Sequence, residues 1–281
     1  MSQHEPPLLL EPDALESLLD SPDIGSRIII IDLCKLTTYA QAHIPGAIHL
    51  DYPQIVAVNN PVMGLLPDKE TLNQLFSRIG LAKNSHIVAY DDEGGGRAAR
   101  LIWTLDAIGH KHVSLLNGGL HAWIKEGHPC VNTENRHETS HYDISTNEIP
   151  ENDPVANKEY ILNNLDNENV ILMDSRSPEE YRGERKFAAK AGRIPGAINL
   201  DWLLVIDKDK NMRLKPENEL KALLTERGVS KDKTIVTYCQ THHRSALTYF
   251  VLKLLGFKHI KGYHGSWSDW GNQENTPVET G

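Results

Sequence analysis

Cysteine is scarce: the chain has three in 281 residues, Cys34, Cys130 and Cys239. They are far apart and odd in number, so they form no disulfide framework, and none is spaced for zinc. A reducing cytoplasm is the expected compartment. Long apolar runs are missing too. No window approaches the roughly 18 uninterrupted apolar residues that cross a bilayer, so no membrane partner is expected. The first residues, MSQHEPPLLLEPDALESLL, are acidic and proline-interrupted, without the basic stretch of a secretory signal. Positive charge is in deficit, with 29 Lys and Arg against 38 Asp and Glu and a formal net charge of −9. Nucleic acid is thereby excluded as a main partner, because binding phosphates needs a basic surface. Any attraction for anions has to be local.

What is present is an ordinary globular composition, with enough chain for two domains of about 130 residues each. An internal repeat divides it. IIIIDLCKLTTYAQAHIPGAIHLDY (28–52) matches VILMDSRSPEEYRGERKFAAKAGRIPGAINLDW (170–202): apolar strand, Asp32 or Asp174, a helical stretch, then IPGA. Pro45 pairs with Pro195 and Asp51 with Asp201. HIVAYDDEGGGRAARLIWTLDAIGHKHVSLLNGG (86–119) matches TIVTYCQTHHRSALTYFVLKLLGFKHIKGYHG (234–265), and each copy closes on a Trp and a Pro, Trp123 and Pro129 or Trp270 and Pro277. Short apolar strands alternating with helical patterns predict an α/β fold built of parallel βαβ units covered on both faces. The polar stretch between the copies reads as a linker. The expected division is a first domain over 1–135, a linker over 136–157 and a second domain over 158–281.

The copies differ at one place. Asp91 in the first lies where Cys239 lies in the second, and the spacing to the next arginine, Arg97 or Arg244, falls from D-x5-R to C-x4-R. One working site and one vestigial site is the expectation. A strand that ends in a tight loop opening a helix aims backbone N–H groups at one point, an anion cradle. A thiol there has its pKa lowered and becomes a nucleophile for an anionic substrate. The cradle residues are Gln240, Thr241, His242, His243, Arg244 and Ser245, and Cys239 sits at the carboxyl end of a strand, where open parallel sheets bind ligands. The competing reading is a buried, inert thiol. The six polar neighbours make deep burial costly, which turns the odds toward a nucleophile. Cys34 and Cys130 keep the inert reading.

Other signals are weaker. His242 and His243 are adjacent, diverge in an extended loop and have no partner at ligand spacing, so no metal is expected. GGGR (94–97) lacks the frame of a phosphate loop and reads as a flexible relic. Asp174 with Arg176 and Arg182 reads as a surface ion-pair network, with a supporting role at the site as the alternative. Trp202 is read as core, with pocket lining as the alternative.

The tandem repeat, the IPGA turns, Asp91 at the cysteine position and the loop CQTHHRS before a helix resemble the two-domain rhodaneses over nearly the whole chain. CQTHHRS and the downstream KGYHGSWSDWGN are particularly similar to a bacterial subgroup. The resemblance implies two tandem rhodanese-like domains, each a mostly parallel sheet with helices on both faces, the first inactive and the second catalytic. It implies a ping-pong sulfurtransferase. The Cys239 thiolate takes the outer sulfur of thiosulfate, releases sulfite and passes the sulfur from a persulfide to cyanide, a thiol or a protein. No cofactor beyond that covalent persulfide is implied, and a monomer is expected. The chain also departs from the family pattern. Gln240 stands where thiosulfate enzymes carry a basic residue, His242 where a glycine is usual, and Glu180 where well-known members place a substrate-binding arginine. Arg182, two residues on, is the candidate to replace it. The donor therefore stays open between thiosulfate and 3-mercaptopyruvate, and a persulfide carrier with little turnover is a further reading. A phosphatase or arsenate reductase of this fold needs C-x5-R, one residue longer than this loop.

Overall fold

The computed structural model describes residues 5–135, 138–148, 150 and 152–281. Residues 136, 137, 149 and 151 of the expected linker, and 1–4 of the first domain, lie outside the described residues. Ile28–Asp32 is four β-branched isoleucines and an aspartate, a run that prefers the pleated, packed surface of a sheet. All five are buried, as a parallel strand covered on both faces requires. Five strands, β1 (Leu9–Leu10), β2 (Ile28–Asp32), β3 (Ile48–His49), β4 (His86–Tyr90) and β5 (Val113–Leu116), make one parallel sheet in the order β1-β5-β4-β2-β3. Five more, β6 (Val155–Ala156), β7 (Val170–Asp174), β8 (Ile198–Asn199), β9 (Thr234–Tyr238) and β10 (Ile260–Tyr263), repeat that topology as β8-β7-β9-β10-β6.

The register repeats as well: Asp32 lies opposite Tyr90, and Asp174 opposite Tyr238. Each tyrosine hydroxyl accepts from the N–H of the residue before the repeated proline, Ile44 or Ile194, at 3.2 Å. The IPGA turns are thereby locked to the ends of the central strands, and their glycines, Gly46 and Gly196, adopt φ of 79° and 72°. In one core Ile28, Ile30, Val88 and Tyr90 pack with Leu15, Leu120 and Trp123. In the other Leu172, Val236 and Tyr238 pack with Ile161, Trp267 and Trp270. Buried indoles need an acceptor. Trp123 Nε1 donates to the Pro129 carbonyl and Trp270 Nε1 to that of Pro277, both at 2.8 Å.

The chain divides into two units that are not contiguous in sequence. The first holds residues 1–55, 67–149 and 207–214; the second holds 56–66, 150–206 and 215–281. The antiparallel hairpin of Ala57–Asn59 and Val62–Leu65 therefore belongs to the unit that carries Cys239, which a division by sequence position cannot show. Among the described residues no helix is long and apolar enough to cross a membrane.

Two of the buried imidazoles of the first unit, His86 and His110, are shifted by their surroundings. His86 Nε2 lies 2.8 Å from Ser114 Oγ, and His110 Nε2 lies 3.1 Å from the Ser85 carbonyl. Burial, with the neighbouring histidines, pushes both down from 6.5 to about 4. In the unfolded chain these rings protonate near pH 6.5, but in the fold only near 4. Their contribution is whole above pH 6.5 and is lost as pH falls toward 4. Urea midpoints measured from pH 7 to 5, where most carboxylates stay ionised, should fall by roughly 2 kcal/mol of stability per ring by pH 5. The H110Q variant should flatten that slope.

Candidate active site

The site is built where β9 stops. Cys239 follows Tyr238, and the helix Arg244–Leu254 begins five residues later. Turning so sharply puts His242 at φ 54°, a left-handed conformation that costs a side-chain-bearing residue free energy and persists only where neighbours enforce it. The enforcing group is Ser266, itself at φ 50°. Its hydroxyl accepts from the N–H groups of Cys239 (3.2 Å) and His242 (3.0 Å) and donates to the Tyr263 carbonyl (2.7 Å). Trp267 N–H donates to the Cys239 carbonyl and Ser268 N–H to that of Gln240, each at 2.9 Å. With its outer edge held by residues 266–268, the loop directs the N–H groups of Thr241 and Ser245 at the Cys239 sulfur. His242 is buried with Nδ1 2.8 Å from Ser245 Oγ, while the His243 ring turns toward Trp202, centroids 6.0 Å apart.

Cys239 is 1% exposed, so the expectation that its polar neighbours keep it out of the interior is wrong. Burial and reactivity are not alternatives here, because the polar groups surround the sulfur instead of competing with it for water. Burial raises the thiol pKa. It is outweighed by the Arg244 charge, then by the Ser245 hydroxyl and the N–H groups of Ser245 and Thr241, and the result lies below the ordinary thiol value. Arg244 is aimed by Glu180, whose carboxylate takes both its terminal nitrogens at 2.6 and 2.9 Å. This fork geometry fixes the guanidinium plane. Glu180 is buried and set in turn by a capping box with Ser177 at the start of the helix Pro178–Arg182. Burial raises the Glu180 pKa, and the bonds and charge of Arg244 more than reverse that, so the carboxylate stays ionised.

The first unit shows what its own cradle holds. Asp91 Oδ1 accepts from Glu93 and Gly95 N–H (3.0 and 2.8 Å), and Oδ2 from Arg97 and Ala98 N–H (2.9 and 3.0 Å). The GGGR stretch, expected to be slack, is wrapped on that carboxylate, with Gly94 and Gly95 at φ 95° and 99° making the turn. With these four N–H groups taken by the chain's own carboxyl side chain, the cradle has none of them left for an external anion.

The remaining candidates are placed as follows. Asp174 and Arg176 are fully buried and paired, Arg176 also donating to the Gly192 carbonyl at 2.7 Å and lying 4.4 Å over the Trp267 ring. The expected surface network is therefore a core pair. Arg182 is no part of it: its guanidinium is spent on Glu184, with distances of 2.7 and 3.0 Å, at an exposed position. Arg244, and not Arg182, is the cation directed at the sulfur. Trp202 borders the loop through His243, and Gln240 Nε2 donates to the Phe187 carbonyl at 3.2 Å. Cys34 is buried, and burial first, with Asp32 nearby, pushes its thiol up. Cys130 is exposed, contrary to the inert buried reading. Among the described residues no group of three or more His, Cys, Asp or Glu side chains is placed to hold a metal.

Sequence reasoning missed three parts of this site. Glu180 was visible only as a departure from a pattern, and Ser266 only as part of KGYHGSWSDWGN. Nothing local in the sequence pointed to the hairpin, whose Met63 N–H donates to Ser268 Oγ at 2.9 Å and whose Gly64 lies against the Thr241 backbone.

Comparison with known proteins places this geometry. The Rhodanese-like domain family matches residues 11–126 and 157–273. The chain is 41% identical to a thiosulfate sulfurtransferase of Azotobacter vinelandii, over 97% of both chains. It is 33% identical to the sulfur carrier protein TtuD of Thermus thermophilus, over 100% of this chain and 99% of that one. Among solved structures, the anaerobic ergothioneine biosynthesis enzyme of Chlorobium limicola superposes with a TM-score of 0.86 at 22% identity, covering 98% of this chain and 70% of its own, a likeness of fold.

Two substitutions test the construction of the site. At Gly64 (φ 79°) a Cβ would stand 2.1 Å from the Thr241 carbonyl oxygen, so G64A has to displace the loop. Turnover at Cys239 should fall roughly a hundredfold, the scale of a misplacement near 1 Å. E180Q loosens Arg244 from its fork. The pH profile of Cys239 alkylation by iodoacetamide should move to higher pH, while the wild-type profile lies below that of an ordinary thiol.

Proposed function

The chain belongs to the rhodanese family, and on that premise we propose that it transfers the outer sulfur of thiosulfate to a thiophilic acceptor through a persulfide on Cys239. The single observation that carries the assignment of the nucleophile is the lowered thiol pKa at a sulfur that is 1% exposed. A thiol that its surroundings bias toward thiolate is a prepared nucleophile.

The Cys239 thiolate attacks the outer sulfur of thiosulfate. The new S–S bond forms as the bond between the two thiosulfate sulfurs breaks, and sulfite departs with the bonding pair. Charge is conserved: one thiolate and one dianion become one persulfide anion and one dianion. The outer persulfide sulfur then lies beside the groups that act on the Cys239 sulfur, the N–H groups of Thr241 and Ser245 and the Arg244 charge. These donors are set before the reaction and do not reorganise during it. Glu180 keeps Arg244 on the sulfur, and Ser266 keeps the loop closed. Cyanide completes the cycle by taking the outer sulfur as thiocyanate and returning Cys239 as thiolate. No step requires a cofactor.

A persulfide carrier is a second reading, favoured by the likeness to the Thermus thermophilus sulfur carrier protein. Both readings share the loading step and differ in repeated turnover. Thiosulfate treatment should add the mass of one sulfur atom to Cys239, and cyanide should remove it as thiocyanate. Loading has to be absent from C239S; an adduct that survives this substitution rules out the assignment. Multiple turnovers with thiosulfate, faster than with 3-mercaptopyruvate, support the enzyme and this donor, whereas a single stoichiometric discharge supports the carrier. The loading rate should hold to lower pH than that of an ordinary thiol before protonation of Cys239 slows it.

A further inference from the structure

The second copy of the repeat is longer than the first between its strand aspartate and its IPGA turn. Asp174 to Pro195 is 21 residues and Asp32 to Pro45 is 13, an insert of eight. The longer segment, RGERKFAAKAGR (182–193), has five cations and one acid, in a chain of net charge −9. Three of the cations serve its base: Arg182 on Glu184 (2.7 Å), Lys190 Nζ on the Glu274 and Thr276 carbonyls (2.9 and 2.7 Å), and Arg193 on Glu279 (2.7 Å). The backbone is pinned where Lys190 N–H donates to the Gly271 carbonyl (2.8 Å) and Trp267 Nε1 to that of Lys190 (3.2 Å).

The tip is different. Arg185 and Lys186 are exposed, and among the described residues neither is paired with a carboxylate. Phe187 beside them is 55% exposed, with the Arg185 guanidinium 5.4 Å from its ring. Its carbonyl holds Gln240, the residue next to the nucleophile. Two further segments that touch the loop also expose apolar side chains: Met63 on the hairpin, and Leu203 and Leu204 on the turn that carries Trp202. An exposed aromatic with arginine and an aliphatic border is the composition of a protein-binding surface. A small hydrophilic anion gains nothing from the apolar part.

We propose that the 182–193 insert docks a protein acceptor that presents a cysteine thiol among acidic residues, with Arg185 and Lys186 meeting its carboxylates and Phe187 packing on its chain. This inference rests on the persulfide reading of Cys239 and names its acceptor. In the transfer the acceptor sulfur attacks the outer persulfide sulfur, and the thiol proton passes to the transferred sulfur. The S–S bond to Cys239 breaks and Cys239 leaves as thiolate. The acceptor becomes a neutral persulfide, and no external oxidant or reductant is involved.

The full-length protein, loaded with thiosulfate and checked by mass, is offered two synthetic peptides of equal length, a cysteine flanked by glutamates and one flanked by glutamines. The acidic peptide should discharge Cys239 about tenfold faster at low salt, a preference that shrinks as ionic strength rises. R185S/K186S should equalise the two peptides and leave discharge by cyanide unchanged. Equal rates in the wild type, or a preference that survives R185S/K186S, overturn the proposal. So does a variant that slows thiosulfate loading with the peptide preference intact, which would assign the charges to the donor. Serine versions of both peptides, fluorescently labelled, report docking on the unloaded protein. A failure to load would count against the sulfur-transfer reading, while tighter binding of the acidic serine peptide would still support docking and equal binding would refute it.

Discussion

A negative charge on sulfur inside a protein has to be surrounded by donors before it can form, and much of the second unit is arranged to supply them. The N–H groups of residues 241 and 245, the Ser245 hydroxyl and the Arg244 guanidinium all act on Cys239. None of them is free to relax. Ser266 holds two backbone N–H groups of the loop from outside, Glu180 holds both ends of Arg244, and Ser177 holds Glu180. Preorganisation of this kind removes the reorganisation that water would need at the moment of reaction.

The two copies are a natural comparison of two occupants of one cradle. In the first, the Asp91 carboxylate takes four N–H groups and closes the site. In the second, a shorter loop places a single sulfur atom at the base. The position that matches Ser266 in the first copy is Gly119, at φ 53°, where a Cβ would stand 2.2 Å from the Asp91 carbonyl. The serine clamp thus exists only in the copy that uses it.

The second unit also recruits chain from outside its own repeat. The hairpin of residues 57–65 packs Gly64 against Thr241 and bonds Ser268, which itself donates its N–H to the Gln240 carbonyl. The insert 182–193 reaches Gln240 from another direction through the Phe187 carbonyl. Gln240, the residue after Cys239, is therefore held by two segments distant from it in sequence.

The sequence alone determined the repeat, the parallel α/β architecture, the candidate cysteine and the loop that follows it. Each depends on local periodicity or on comparing two copies residue by residue, and Ile28–Asp32 against Val170–Asp174 or Asp91 against Cys239 needs no third dimension. Tertiary structure decided which cation serves the sulfur. Arg182 and Arg244 are both candidate cations in the sequence, but of the two only Arg244 meets a buried carboxylate, because Glu180 is turned inward by its capping box while Arg182 faces solvent and Glu184. It also decided that Cys239 is buried with its thiol pKa lowered, that Asp174 and Arg176 are core, and that a hairpin more than 170 residues away in sequence touches the loop after Cys239. These outcomes depend on which groups share space after folding, because burial penalises a charge and only donors brought close by the fold offset that penalty.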